Sequence, residues 1–167
     1  MKAAELVARA RFQVNRATVY GLGRGVTIGE SPRDETGACD CSAFACWCLG
    51  IRKRQTDFAW LTRLNGGWYN TDGIWWDAAK ESTGFFQRID SPRAGALVVF
   101  PGNATSKATG PKIGHVGIVV SVSASGAYRV VHCSNGNFKR AGDAIRETTA
   151  DVFKPASTIF AWGAMVT

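Results

Sequence analysis

From Ala96 onward the chain reads as a succession of short strands, and the part before Ser91 does not. Apolar and β-branched runs at 96–100, 115–122, 127–133, 144–149 and 158–165 are separated by Gly, Ser, Asn and Pro clusters, the pattern of strands joined by turns. The first half has helical spacing instead. Ala3, Leu6, Val7, Ala10, Val14 and Ala17 make an apolar stripe opposite Lys2, Glu5, Arg9, Arg11 and Arg16, which predicts an amphipathic helix over 3–18. A turn at Asn65-Gly66-Gly67 and a helix from about Ile74 to Phe86 are expected within a Trp-rich middle section (Trp60, Trp68, Trp75, Trp76). Those aromatics suit either a core or the wall of a groove. Helices first and strands afterwards specify an α+β domain, with N-terminal helices packed on an antiparallel sheet of about five strands. At 167 residues and 46% hydrophobic content one core suffices, so a single domain over residues 1–167 is expected, as a monomer.

The formal net charge is +7, with basic clusters at Arg9/Arg11/Arg16, Arg52-Lys53-Arg54 and Lys139-Arg140. Nucleic acid, an anionic cell-wall polymer and lipid headgroups all satisfy that charge. No apolar run reaches membrane-spanning length, and Glu5, Arg9 and Arg11 interrupt any signal-peptide core. The expectation is a chain made in the cytoplasm. The alternating Gly21, Gly23 and Gly25 do not form G-x-G-x-x-G and follow a helix, so no dinucleotide site is read there.

Five cysteines leave at least one unpaired. Their spacing (Cys39, Cys41, Cys46, Cys48, Cys133) is not that of a zinc site, and neither metal nor cofactor is expected. Cys46, Cys48 and Cys133 read as small apolar core residues. Cys41 stands apart because of its flanks. Residues 29–38 are rich in turn formers, whereas Ser42 to Leu49 is small, aromatic and apolar and stops at Gly50. Loop, helix and stop place Asp40 at the N-cap and Cys41 in the first turn, where the helix dipole favours a thiolate. The dipole contributes only about 0.3–1 kcal/mol, less than the ~1.4 kcal/mol of one pKa unit, so a neighbouring base is required.

The chain has two histidines, and both fall on one predicted hairpin. His115 opens one strand, His132 closes the next, and the turn lies at 123–126. With the turn centred at 123.5 to 124.5, His115 faces His132 directly or pairs with Ser134, with His132 one diagonal step away on the same face. A one-residue slip would separate them onto opposite faces. Thiol, base and orienting group make up the logic of nucleophilic catalysis, with His115 as base and His132 as orienter. The polar loop from Pro101 to Gly114 reads as either a lid or a plain surface loop.

Asp40-Cys41-Ser42-Ala43-Phe44, Gly114-His115-Val116-Gly117-Ile118-Val119 and Val131-His132 resemble, in order, the three catalytic blocks of the NlpC-type papain-like cysteine peptidases. Arg93 to Phe100 resembles the strand before the histidine block, and Tyr20 with its glycines the segment upstream of the cysteine. The resemblance implies a papain-like fold and hydrolysis of amide bonds in bacterial peptidoglycan stem peptides through an acyl-enzyme. It implies Cys41 as nucleophile, His115 as general base and His132 as third residue, with Tyr20, Asp40 and Ser42 at the substrate or oxyanion side. It favours peptidoglycan and anionic wall polymer over nucleic acid as partner, and delivery by phage lysis, as a phage or prophage lysin, or by specialised secretion. The alternatives are a sugar-peptide amidase or an acyltransferase on the same fold, or a non-catalytic basic module binding wall polymer or nucleic acid.

Overall fold

The computed structural model describes residues 1–80, 83–102 and 113–167. Four helices, α1 (Ala3–Phe12), α2 (Cys41–Leu49), α3 (Ala59–Asn65) and α4 (Thr71–Lys80), come before the main strands. A short parallel pair, β1 (Val19–Tyr20) with β2 (Ala38–Cys39), lies between α1 and α2. The strands β3 (Phe86–Ile89), β4 (Leu97–Phe100), β5 (His115–Val122), β6 (Tyr128–Cys133), β7 (Ile145–Thr149) and β8 (Ile159–Gly163) form one antiparallel sheet in the order β3-β8-β4-β5-β6-β7. Helix α5 (Asn135–Ala141) and a turn of 3-10 helix (Ala150–Phe153) flank β7. All five expected strands are present, and the class is α+β.

Helix α2 is the centre of the core. All nine of its residues are buried, the mark of an interior helix that is apolar all round. It packs on β5 and β6 and against α1. Phe44, fully buried, is worth about 1.5–3 kcal/mol at most for its removal from water. Gly50 ends the helix at φ 68°, a left-handed position that glycine fills without strain. The five cysteines are buried and unpaired.

Two expected helices are shorter than their apolar stripes, for the same reason. Helix α1 stops at Phe12 because the buried Asp143 carboxylate takes the backbone N–H of Asn15 and of Thr18, holding Asn15 and Ala17 at positive φ. Helix α4 covers Thr71–Lys80 instead of running from Ile74 to Phe86. There the fully buried Asp77 accepts from the Thr83 N–H, the Thr83 hydroxyl and the Phe86 N–H, turning the chain into the edge strand β3. Helix α5 was not expected either. Ser134 caps it by accepting the Asn137 N–H, and Gly142 closes it. Positions 103–112 of the loop read as either a lid or a plain surface loop lie outside the described residues.

Candidate active site

Asp40 builds the start of α2. One carboxylate oxygen accepts the Ala43 N–H at 2.7 Å and the Ser42 hydroxyl at 2.9 Å. The other accepts the Gly23 N–H at 2.9 Å and the Lys53 ammonium at 2.7 Å. Four donors around a buried carboxylate fix the cap and tie the glycine segment after Tyr20 to it. Asp40 and Ser42 line a cavity beside Cys41, but their polar side-chain atoms are engaged in this cap. Lys53, part of the basic cluster at 52–54, is an internal counter-ion with 12% of its side chain exposed.

Cys41 occupies the first turn, as the sequence predicts. The first intrahelical bond runs from Phe44 N–H to Asp40 C=O, so the N–H groups of Cys41 and Ser42 precede it. Burial pushes the thiol up to about 12, the Asp40 charge adds to this, and the Val116 backbone N–H and Lys53 oppose it. Among the described residues no hydrogen bond joins this thiol to an imidazole. The resting Cys41 thiol is therefore neutral, because burial outweighs the dipole.

The histidines depend on an irregularity in the hairpin. At its turn end Val122 pairs with Tyr128 and Ser121 with Arg129, and that register continued would place His132 opposite Ile118. A bulge between Val119 and Ser121 shifts it, so that Ile118 pairs with Val131. His132 then falls opposite Gly117, on the face that His115 shares. The glycine is needed: a Cβ at 117 would overlap Val130 Cγ1 and lie 2.9 Å from His132 Cβ. The rings meet with His115 Nε2 2.7 Å from His132 Nδ1, nearly perpendicular at 86°. Phe153 stacks on His115 at 5.1 Å between centroids and sits edge-on to His132 at 5.7 Å. Burial lowers His115 to about 4. Burial, then His115, then Arg140 lower His132 to about 3. Both rings are neutral near neutral pH.

Tyr20 lies on β1 and lines the larger of two cavities. Its phenol is held well above its ordinary value by burial first and by Cys41 second, so it stays a hydrogen-bond donor beside the thiol. The larger cavity, about 840 Å³, contains His115 and His132, and the smaller, about 540 Å³, contains Cys41. Ile113 and Gly114 border both, so cysteine and histidines stand where two halves of one groove meet. Trp68 walls the smaller half, whereas Trp47 is buried in the core. In the larger half Arg140 and Arg146 bond amide oxygens of Asn137 and Asn15 and have no carboxylate partner among the described residues.

Sequence reasoning singled out Tyr20, Asp40, Cys41, Ser42, His115 and His132, and the structure brings all six to this groove. It missed Lys53, Phe153, Asn137 and Thr148. Asn137 had a signal, lying three residues after a Ser N-cap. The others had none, since each reaches the site only through tertiary packing.

The described residues contain no His/Cys/Asp/Glu cluster able to hold a metal and no helix long and apolar enough to cross a membrane. A family model, the CHAP domain, matches residues 32–137, which includes Cys41, His115 and His132. It is a papain-like cysteine/amidase domain found in peptidoglycan hydrolases. No curated protein matches the chain.

Proposed function

The chain belongs to the CHAP domain family, and we propose that it hydrolyses amide bonds in the stem peptides of bacterial peptidoglycan, with Cys41 as nucleophile, His115 as general base and His132 as the orienting residue. The observation that carries this reading is the 2.7 Å contact of His115 with His132 on the sheet face beside the N-terminus of the cysteine helix. A neutral thiol and a neutral imidazole favour proton transfer during attack over a preformed ion pair. His115 takes the Cys41 proton as sulfur adds to the amide carbonyl. The Cys41 N–H and the Tyr20 phenol are suited to the oxyanion, where a single donor is worth about 3 kcal/mol. The imidazolium then protonates the leaving amine. Water, deprotonated by the same ring, releases the acyl group from sulfur.

Catalysis at the sugar-peptide linkage or transfer to another acceptor would use the same three groups. A digest of purified peptidoglycan analysed by mass spectrometry tests the choice. New amino termini within stem peptides are expected. Lactyl sugars freed of peptide, or acylated products, would contradict a stem-peptide endopeptidase.

A further inference from the structure

We propose that Thr148, on the edge strand β7, sets the tautomer of both histidines and thereby leaves Nδ1 of His115 as the basic nitrogen available to Cys41. Thr148 is a positioning residue, and the proposal rests on the reading of Cys41, His115 and His132 as the reacting groups.

The tautomers follow from the number of protons available along a chain of hydrogen bonds. The Thr148 hydroxyl has one proton, and it goes to the Thr149 carbonyl at 2.8 Å, which can only accept. The same oxygen lies 2.9 Å from His132 Nε2. With its proton already donated, Thr148 Oγ1 can only accept there, so Nε2 of His132 carries hydrogen. Asn137 offers no competing proton. Its side-chain N–H groups point to the carbonyls of His132 and Ala144, each at 3.2 Å, and its oxygen accepts from Arg140. Its 3.5 Å approach to His132 Nε2 is thus a close pass between two donors.

A neutral His132 protonated at Nε2 has its lone pair on Nδ1, the atom 2.7 Å from His115 Nε2. That short contact needs one proton, and His115 must supply it from Nε2. A neutral His115 protonated at Nε2 keeps its lone pair on Nδ1. When it gains the thiol proton there, its Nε2–H still points at the His132 lone pair, and the new positive charge is held without any proton moving along the chain. The opposite tautomer of His132 would reverse every step: Nδ1–H would point at His115, whose own proton would shift to Nδ1 and block the base.

The substitutions that test this are Thr148→Val, which keeps the β-branched shape and removes the acceptor, and Thr148→Ser, which keeps the acceptor. For Thr148→Val, kcat is expected to fall about tenfold, the cost of one lost hydrogen bond, with KM unchanged. Thr148→Ser is expected to restore most of it. Equal kcat in the Val variant and the parent would overturn the proposal, as would a loss that Ser fails to rescue. Imidazole nitrogen NMR shifts of the unsubstituted protein provide a readout independent of turnover and of the variants' folding. Protonated Nε2 and bare Nδ1 on both rings is the expected signature, and a proton on Nδ1 of His132 would overturn the proposal. Cys41→Ala, assayed in parallel, separates the two levels. Full activity in that variant defeats the catalytic reading, whereas an inactive Cys41→Ala beside a fully active Thr148→Val defeats the Thr148 role alone.

Discussion

A buried imidazole pair makes acid sensitivity a property of two residues. Both histidines are lowered in the fold, so between the ordinary value of 6.5 and the folded values of about 4 and about 3 the unfolded chain binds more protons than the native one. Stability is then complete above about pH 6.5 and declines as pH falls through that window, by up to about 1.4 kcal/mol per pH unit for each ring. Urea denaturation midpoints should drop between about pH 7 and about pH 5, and a His115→Gln/His132→Gln double variant should lose most of that slope. An unchanged slope would place the titrating groups elsewhere. Activity follows the same sign: the acid limb of kcat/KM is expected near the lowered value of about 4, not near 6.5. The identities of Cys41, His115 and His132 were legible because rare, reactive side chains fell on recognisable elements. The Asp40 cap was legible too, but the roles of Asp77 and Asp143 were not. Each is buried and spends its carboxylate on backbone N–H groups, whereas in sequence Asp77 and Asp143 are indistinguishable from surface charge.

At the scale of elements, the hairpin β5–β6 decides whether the two histidines meet. Its apolar, β-branched runs predicted both strands, and a turn centre of 124.5, the later of the two weighed, matches the register at the histidine end. The bulge that produces this register was not visible, because an extra residue in a Val-rich run leaves no mark on composition. Gly117 is the element's most exacting position. Gly117→Ala would force β5 away from His132 and Phe153, with an expected cost of about 1–3 kcal/mol in stability. Activity should fall by more than the stability loss alone explains, measured as kcat at a temperature where the variant remains folded. Helix lengths were overestimated where buried aspartates capture the chain. The apolar stripe continues past Phe12, but hydrogen bonds to Asp143 outweigh its further burial.

Over the whole molecule, the charge of +7 is less available than the sequence suggested. Lys53 pairs with Asp40, Arg11 and Arg129 share Glu147, and Arg9, Arg16 and Arg93 stack on aromatic rings. The groove keeps Arg140 and Arg146 free of carboxylates among the described residues. Hydrolysis of an anionic wall at low substrate should therefore weaken as salt rises. Replacing both arginines by Gln should raise KM several-fold and flatten that salt dependence, with kcat nearly unchanged. A salt response unaltered in the double variant would assign substrate attraction to another surface. The architecture of helices on an antiparallel sheet was legible from the order of periodicities, and the meeting of two cavities at Cys41 and His115 was not, since it arises from loops that periodicity does not describe.

In the proposed reaction the Cys41 sulfur is the attacking atom. The most direct measurement compares peptidoglycan hydrolysis by the parent with that by Cys41→Ala, after circular dichroism and thermal melting show that the variant is folded. Loss of the nucleophile is expected to reduce the rate by at least about a thousandfold. Release of wall peptides at the parent's rate by a folded Cys41→Ala protein would contradict the mechanism.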